Sequence, residues 1–144
     1  MDKILLNQEQ IKKIIPHREP FLLIDEIVDM VIGQKVHARK YLRDDDFWFK
    51  GHFPGYPITP GVLIIEMLAQ AGAVCILSKP EFKGKIGLFG GMDKVRFRRQ
   101  VVPGDVLDLE VEMIKMKGVI GIGKAKASVN GEIAVIGEIS FIIK

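Results

Sequence analysis

His52 and Glu66 are the two side chains whose type and setting most suggest chemistry. His52 stands in Gly51-His-Phe-Pro-Gly-Tyr-Pro-Ile-Thr-Pro-Gly61, where three prolines and three glycines fall within eleven residues. Proline fixes φ and lacks a backbone donor, and glycine opens turns closed to other residues, so the stretch is a stiffened loop rather than a strand. Such a loop holds a side chain in one place. Fourteen positions on, Glu66 interrupts the apolar run Gly61-Val-Leu-Ile-Ile-Glu-Met-Leu-Ala-Gln-Ala-Gly-Ala-Val-Cys-Ile-Leu77. A glutamate there is expensive to ionise unless paired, and burial favours its protonated form, which can donate. Histidine titrates near neutrality and suits a base. Taken singly, His52 reads as an ordinary hydrogen-bonded residue and Glu66 as half of a structural pair with an arginine. Taken together they fit a general base and a general acid. Gly61, opening a helix, offers a backbone N–H at the positive end of the dipole and no side chain to obstruct a carbonyl oxygen. Gln70, four residues after Glu66, shares its helix face and reads either as an orienter of that carboxyl or as a structural hydrogen bond.

These residues need elements to place them. The run 61–77 is apolar on nearly every side, so a helix over about 60–78 must be wrapped. Thr59 suits its N-cap, Pro60 its first position, and Lys79-Pro80 its end. A shorter helix starts at Asn7, with Gln10 as capping-box partner and Leu6 and Ile11 as a staple, and ends by Ile15 before Pro16. The rest reads as strands over 21–31, 34–42, 85–101, 105–117, 119–130 and 132–143. Leu107, Leu109, Val111 and Met113 alternate with Asp108, Glu110 and Glu112, and Pro103-Gly104 and Asn130-Gly131 mark turns. Consecutive strands with tight turns imply an antiparallel sheet. One parity of the 119–130 strand is Gly121, Gly123, Ala125 and Ala127, a face that admits something bulky, for which the apolar helix is the candidate. The expectation is one α+β domain over 1–144, a long curved antiparallel sheet around one buried helix.

Composition narrows the classes. The chain has 144 residues, is 48% hydrophobic and 27% charged, and is therefore a folded domain rather than a disordered segment. Its single cysteine, Cys75, excludes an internal disulfide and a cysteine zinc site, and inert packing is expected of it. His17 and His37 lack ligand spacing to His52 or to a carboxylate cluster, so no metal is expected. Trp48 and Phe49 read as core or as a wall of the site. Glu66 and Gln70 in the middle of the apolar run argue against a membrane span. The start Met1-Asp2-Lys3 shows no signal-peptide core, so the reducing cytoplasm is the expected location. A net charge of +3, from 21 basic and 18 acidic residues, does not require nucleic acid as a partner.

In three stretches the chain resembles the 3-hydroxyacyl-(acyl-carrier-protein) dehydratases of bacterial fatty-acid synthesis. They are Pro16-His-Arg-Glu-Pro-Phe-Leu-Leu-Ile-Asp25, the Gly51–Gly61 loop continuing through Val62 to Glu66, and Met92-Asp-Lys-Val-Arg-Phe-Arg-Arg-Gln-Val-Val-Pro-Gly-Asp105. The likeness runs from about residue 7 to the C-terminus, and its middle motif is very specific. It implies the hot dog fold, His52 and Glu66 as a catalytic pair drawn from opposite subunits of a homodimer, and a trimer of such dimers. It implies loss of water from a (3R)-3-hydroxyacyl thioester to give the trans-2-enoyl product, with no cofactor. Glu66 stands where the isomerising branch typically has aspartate, which favours the non-isomerising branch. Gln100 replaces a frequent proline, and Tyr56 falls at a variable position. His17, in the first motif, is expected to serve structure near the dimer contact.

The resemblance also supplies a partner. Lys94, Arg96 and Arg98 alternate with Val95 and Phe97, so on a strand they share one face, with Arg99 beside them. That run is either a solvated face or a dock for an acidic acyl carrier protein presenting a phosphopantetheine arm. No aromatic platform is interleaved on the same face, so nucleic acid is the poorer fit. Two rival functions remain: a hot dog thioesterase, and a non-catalytic acyl-chain binding module.

Overall fold

A helix with no polar side cannot lie on a surface, and the rest of the chain is arranged around that demand. In the computed structural model, which describes residues 4–144, the long helix α2 spans Gly61–Leu77, and every residue from Met67 to Leu77 is buried. Six antiparallel strands curve about it: β1 (Glu26–Val31), β2 (Lys35–Tyr41), β3 (Gly87–Phe97), β4 (Val106–Lys117), β5 (Ile120–Val129) and β6 (Glu132–Ile143). Their order in the sheet is β1-β2-β4-β5-β6-β3, so β1 and β3 are the edges. A short α1 (Gln8–Ile11) and a 3-10 turn (Pro80–Phe82) complete the elements.

The alternation read in β4 decides which face meets α2. Leu107, Leu109 and Val111 are buried against the core, while Glu112 is exposed. The small parity of β5 is buried as expected, but α2 does not fill the space alone. A Cβ on Gly121 would meet Met116 and Met113 of β4 as well as Ile76 of α2, and one on Gly123 would meet Val111, Met113 and Phe141. Phe141, from β6, reaches the helix at Gly72, where a Cβ would stand 2.5 Å from its Cζ. Gly72 is thus the notch that lets a buried aromatic ring rest on the helix.

Three expectations need correction. The strand foreseen from Phe21 begins only at Glu26, because Phe21 and Leu23 give their backbone groups to the Gln70 amide instead of a neighbouring strand. Thr59 does not cap α2: no side-chain cap is formed, and its buried hydroxyl accepts from Trp48 Nε1 at 3.3 Å. The strand foreseen to Val101 stops at Phe97, after which the Val101 carbonyl turns to the Thr59 N–H. The first helix keeps its Asn7–Gln10 capping box but gives way to turns after Ile11. Among the described residues no helix is long and apolar enough to cross a membrane.

Candidate active site

The loop before α2 is folded onto itself. Phe53 and Tyr56 exchange both backbone hydrogen bonds, with Gly55 between them at φ +76°, a conformation that favours glycine. His52 N–H donates to Trp48 C=O, and Ile58 N–H returns to His52 C=O. The peptide joining His52 to Phe53 is cis, and the two rings stack with centroids 4.1 Å apart. Behind the loop, the nearly buried Lys40 bonds Asp46 at 3.1 Å and lies 5.7 Å from the Trp48 ring centre. The loop is therefore tied to β2 by an ion pair and to the α2 entry through Trp48 and Thr59.

This frame sets the state of His52. Its Nδ1 lies 2.8 Å from the Ile58 carbonyl oxygen. A carbonyl only accepts, so Nδ1 carries the hydrogen and Nε2 of the neutral ring keeps a free lone pair. His52 lines an open cavity of about 620 Å³ together with Gly61, Phe97, Arg98, Arg99 and Gln100. Gly61 is the first residue of α2, where the N–H has no intrahelical acceptor. A Cβ at Gly61 would stand 2.4 Å from Phe97 Cε1, so the position is glycine because the Phe97 ring lies against it. The Tyr56 hydroxyl donates to Gln100 Oε1 at 3.0 Å, which ties the loop to one of the residues lining the cavity.

Glu66 is not part of that cavity's lining. It lies five residues along α2, about 7.5 Å of axial rise and some 140° of rotation from Gly61. Its side chain is 21% exposed, less enclosed than the sequence suggests. Glu66 Oε2 accepts from Gln70 Nε2 at 3.1 Å, and His17 Nε2 stands 3.8 Å away. Gln70 bonds both the Glu66 carboxyl and the backbone of the segment before β1. Its buried amide donates to Glu66 Oε2 and to Phe21 C=O, the latter at 2.8 Å, and accepts from Leu23 N–H at 2.9 Å. Sequence reasoning missed the contact of His17 with Glu66, although the Pro16-His17-Arg18 motif marked the segment.

The basic run divides. A bulge between Asp93 and Arg96, with Lys94 at φ +55°, breaks the alternation that would have aligned Lys94, Arg96 and Arg98. Lys94 instead reaches Glu138 at 3.7 Å, and Arg96 is exposed. Arg98 and Arg99 line the His52 cavity, with Arg99 also bonded to Glu132 at 3.1 Å. Among the described residues no cluster of three or more His, Cys, Asp or Glu is placed to hold a metal ion.

Chemically, the chain presents an imidazole whose Nε2 lone pair is free in the neutral ring, a helix N-terminus beside it, and a carboxyl bonded to an amide on a neighbouring part of the helix. Residues 15–138 match the FabA-like domain, and the chain belongs to that family. It is 55% identical to a 3-hydroxyacyl-(acyl-carrier-protein) dehydratase FabZ of Oceanobacillus iheyensis, over 97% of this chain and all of that one. It is 56% identical to the protein of the same name from Clostridium perfringens strain SM101, over 96% of this chain and 99% of that one. Among solved structures, the dehydratase heterocomplex ApeI:P from Xenorhabdus doucetiae matches with a TM-score of 0.80 at 21% identity, covering 93% of this chain and 90% of the other. A hypothetical thioesterase with coenzyme A from Streptococcus pneumoniae matches with a TM-score of 0.65 at 12% identity, covering 83% and 84%. Both share the hot dog fold expected from the sequence.

Proposed function

We propose that this chain removes water from 3-hydroxyacyl groups carried by acyl carrier protein, yielding the trans-2-enoyl thioester in fatty-acid elongation. The observation that carries the reading is identity of 54–56% to dehydratases of that name over nearly the whole chain. In the mechanism this geometry supports, His52 Nε2 takes a proton from C2, next to the thioester carbonyl. The Gly61 N–H bonds the oxygen on which enolate charge develops. Glu66 gives its proton to the C3 hydroxyl, which leaves as water while the C2 electron pair forms the double bond. A positioned acid or base contributes about 10²–10⁴ in rate, and an oxyanion donor about 10²–10³.

Within one chain Glu66 does not line the cavity that holds His52, so the reading places the pair across two copies in a homodimer. The edge strand β3 supports this. It runs eleven residues with Leu88, Phe89, Met92 and Phe97 exposed, a length of unpaired, apolar edge that a second copy would cover. A trimer of such dimers, action in the cytoplasm, and docking of the carrier near Arg98 and Arg99 belong to the same reading. The test is incubation with a (3R)-3-hydroxyacyl thioester followed by mass spectrometry. Loss of one water is the expected result. Release of free thiol would make the chain a thioesterase, and unchanged thioester would make it a binding module.

A further inference from the structure

His17 is a largely buried titratable residue that the mechanism above leaves without a role. Its side chain, 23% exposed, lies in the irregular segment between α1 and β1, with Nε2 3.8 Å from Glu66 Oε2. Its Nδ1 is buried with no hydrogen-bond partner. Burial pushes the ring's pKa down; the Glu66 charge pulls the other way, and Arg18 adds to the lowering. Neutral imidazole has a single N–H to place. On Nδ1 it would strand a buried donor and turn the Nε2 lone pair toward the carboxyl oxygen. On Nε2 it points at Glu66. The carboxyl's other neighbour is fixed in the same sense. Leu23 N–H holds the Gln70 oxygen, so the Gln70 nitrogen must donate, and Glu66 Oε2 must accept.

We propose that His17 is a positioning residue for the acid: its Nε2–H and the Gln70 amide together hold Glu66 Oε2 as an acceptor, leaving Oε1 to carry the proton and deliver it to the departing hydroxyl. The inference rests on Glu66 being the acid of the proposed dehydration. The 3.8 Å separation closes to a hydrogen bond as the carboxylate forms, since catalytic contacts are commonly long without substrate. Two donors on Oε2 also satisfy the carboxylate that remains once the proton is given up. The other charges nearby are already engaged. Arg18 donates to the carbonyls of Lys12, Ile15 and His17, and Lys12 pairs with Glu9 and Glu19.

The test compares His17→Gln, whose amide nitrogen can occupy the place of Nε2, with His17→Asn and His17→Leu, which cannot put a donor there. The full chain is assayed with a short 3-hydroxyacyl thioester, measuring kcat and KM, with melting temperature alongside. In the Asn and Leu variants kcat should fall roughly 10- to 100-fold, the range for a lost hydrogen bond to a charged group, with KM little changed. His17→Gln should keep kcat near that of wild type. Wild-type kcat in whichever of Asn or Leu folds, an equal loss in His17→Gln, or failure of both Asn and Leu to fold would each overturn the inference. Wild type and Glu66→Gln run in parallel: a wild type that forms no enoyl product, or a Glu66→Gln variant that does, defeats the proposed function rather than the role of His17.

Discussion

His52→Ala removes the ring without removing what shapes the loop, because the Phe53–Tyr56 backbone pair and the Lys40–Asp46 anchor are independent of it. Dehydration should fall by about two orders of magnitude or more while melting temperature holds, since a positioned base contributes that much. Activity above a tenth of wild type would remove His52 from the role of base. Glu66→Gln keeps size and hydrogen-bonding capacity but delivers no proton, so turnover should be lost with stability unchanged or slightly raised. Normal turnover would make Glu66 structural. Both residues were legible in the sequence because each contradicts its surroundings, a histidine in a rigid loop and a carboxylate in an apolar run. The His17–Glu66 contact was not. It is made across 49 positions by the irregular chain of residues 16–25, which follows neither the helical nor the strand period.

At the scale of elements, an unbroken apolar run bounded by Pro60 and Lys79-Pro80 located α2 to within a residue at each end, and apolar positions between turn signals located β4 to β6 almost as closely. Segments whose backbone partners are side chains or distant loops were misjudged, as at Phe21–Asp25 and Arg98–Val101. The bulge at Lys94 was equally invisible, since one extra residue in a strand leaves composition unchanged while turning the side chains after it to the other face. The small parity of β5 revealed close approach but not its partner, which packing assigned to Phe141 and two methionines as much as to α2. Gly72→Ala tests that packing. A methyl 2.5 Å from a buried ring forces the helix or Phe141 to shift, and urea denaturation should show a loss of about 1–3 kcal/mol. Wild-type stability would mean that Phe141 does not rest on the helix there.

For the whole molecule, the charge that matters is the part beside the cavity. Arg98 lines it and Arg96 is exposed on the same strand end, whereas Lys94 is diverted to Glu138. Reversing Arg96 and Arg98 to Glu should raise KM for substrate on acyl carrier protein, most at low salt, because steering by surface charge is screened beyond roughly 10 Å at 0.1 M. A small soluble thioester should be turned over nearly as before; equal losses on both substrates would place these arginines in the fold or the cavity instead of the dock.

That His52 and Glu66 act together across two subunits is tested most directly by mixing. His52→Ala and Glu66→Gln subunits, each inactive alone, are dissociated, combined and reassociated, and dimers containing one of each are verified by native mass spectrometry. Each mixed dimer would hold one intact pair, so partial dehydration activity should return in proportion to the mixed fraction. Verified mixed dimers with no activity would contradict the shared site and place the pair within a single chain.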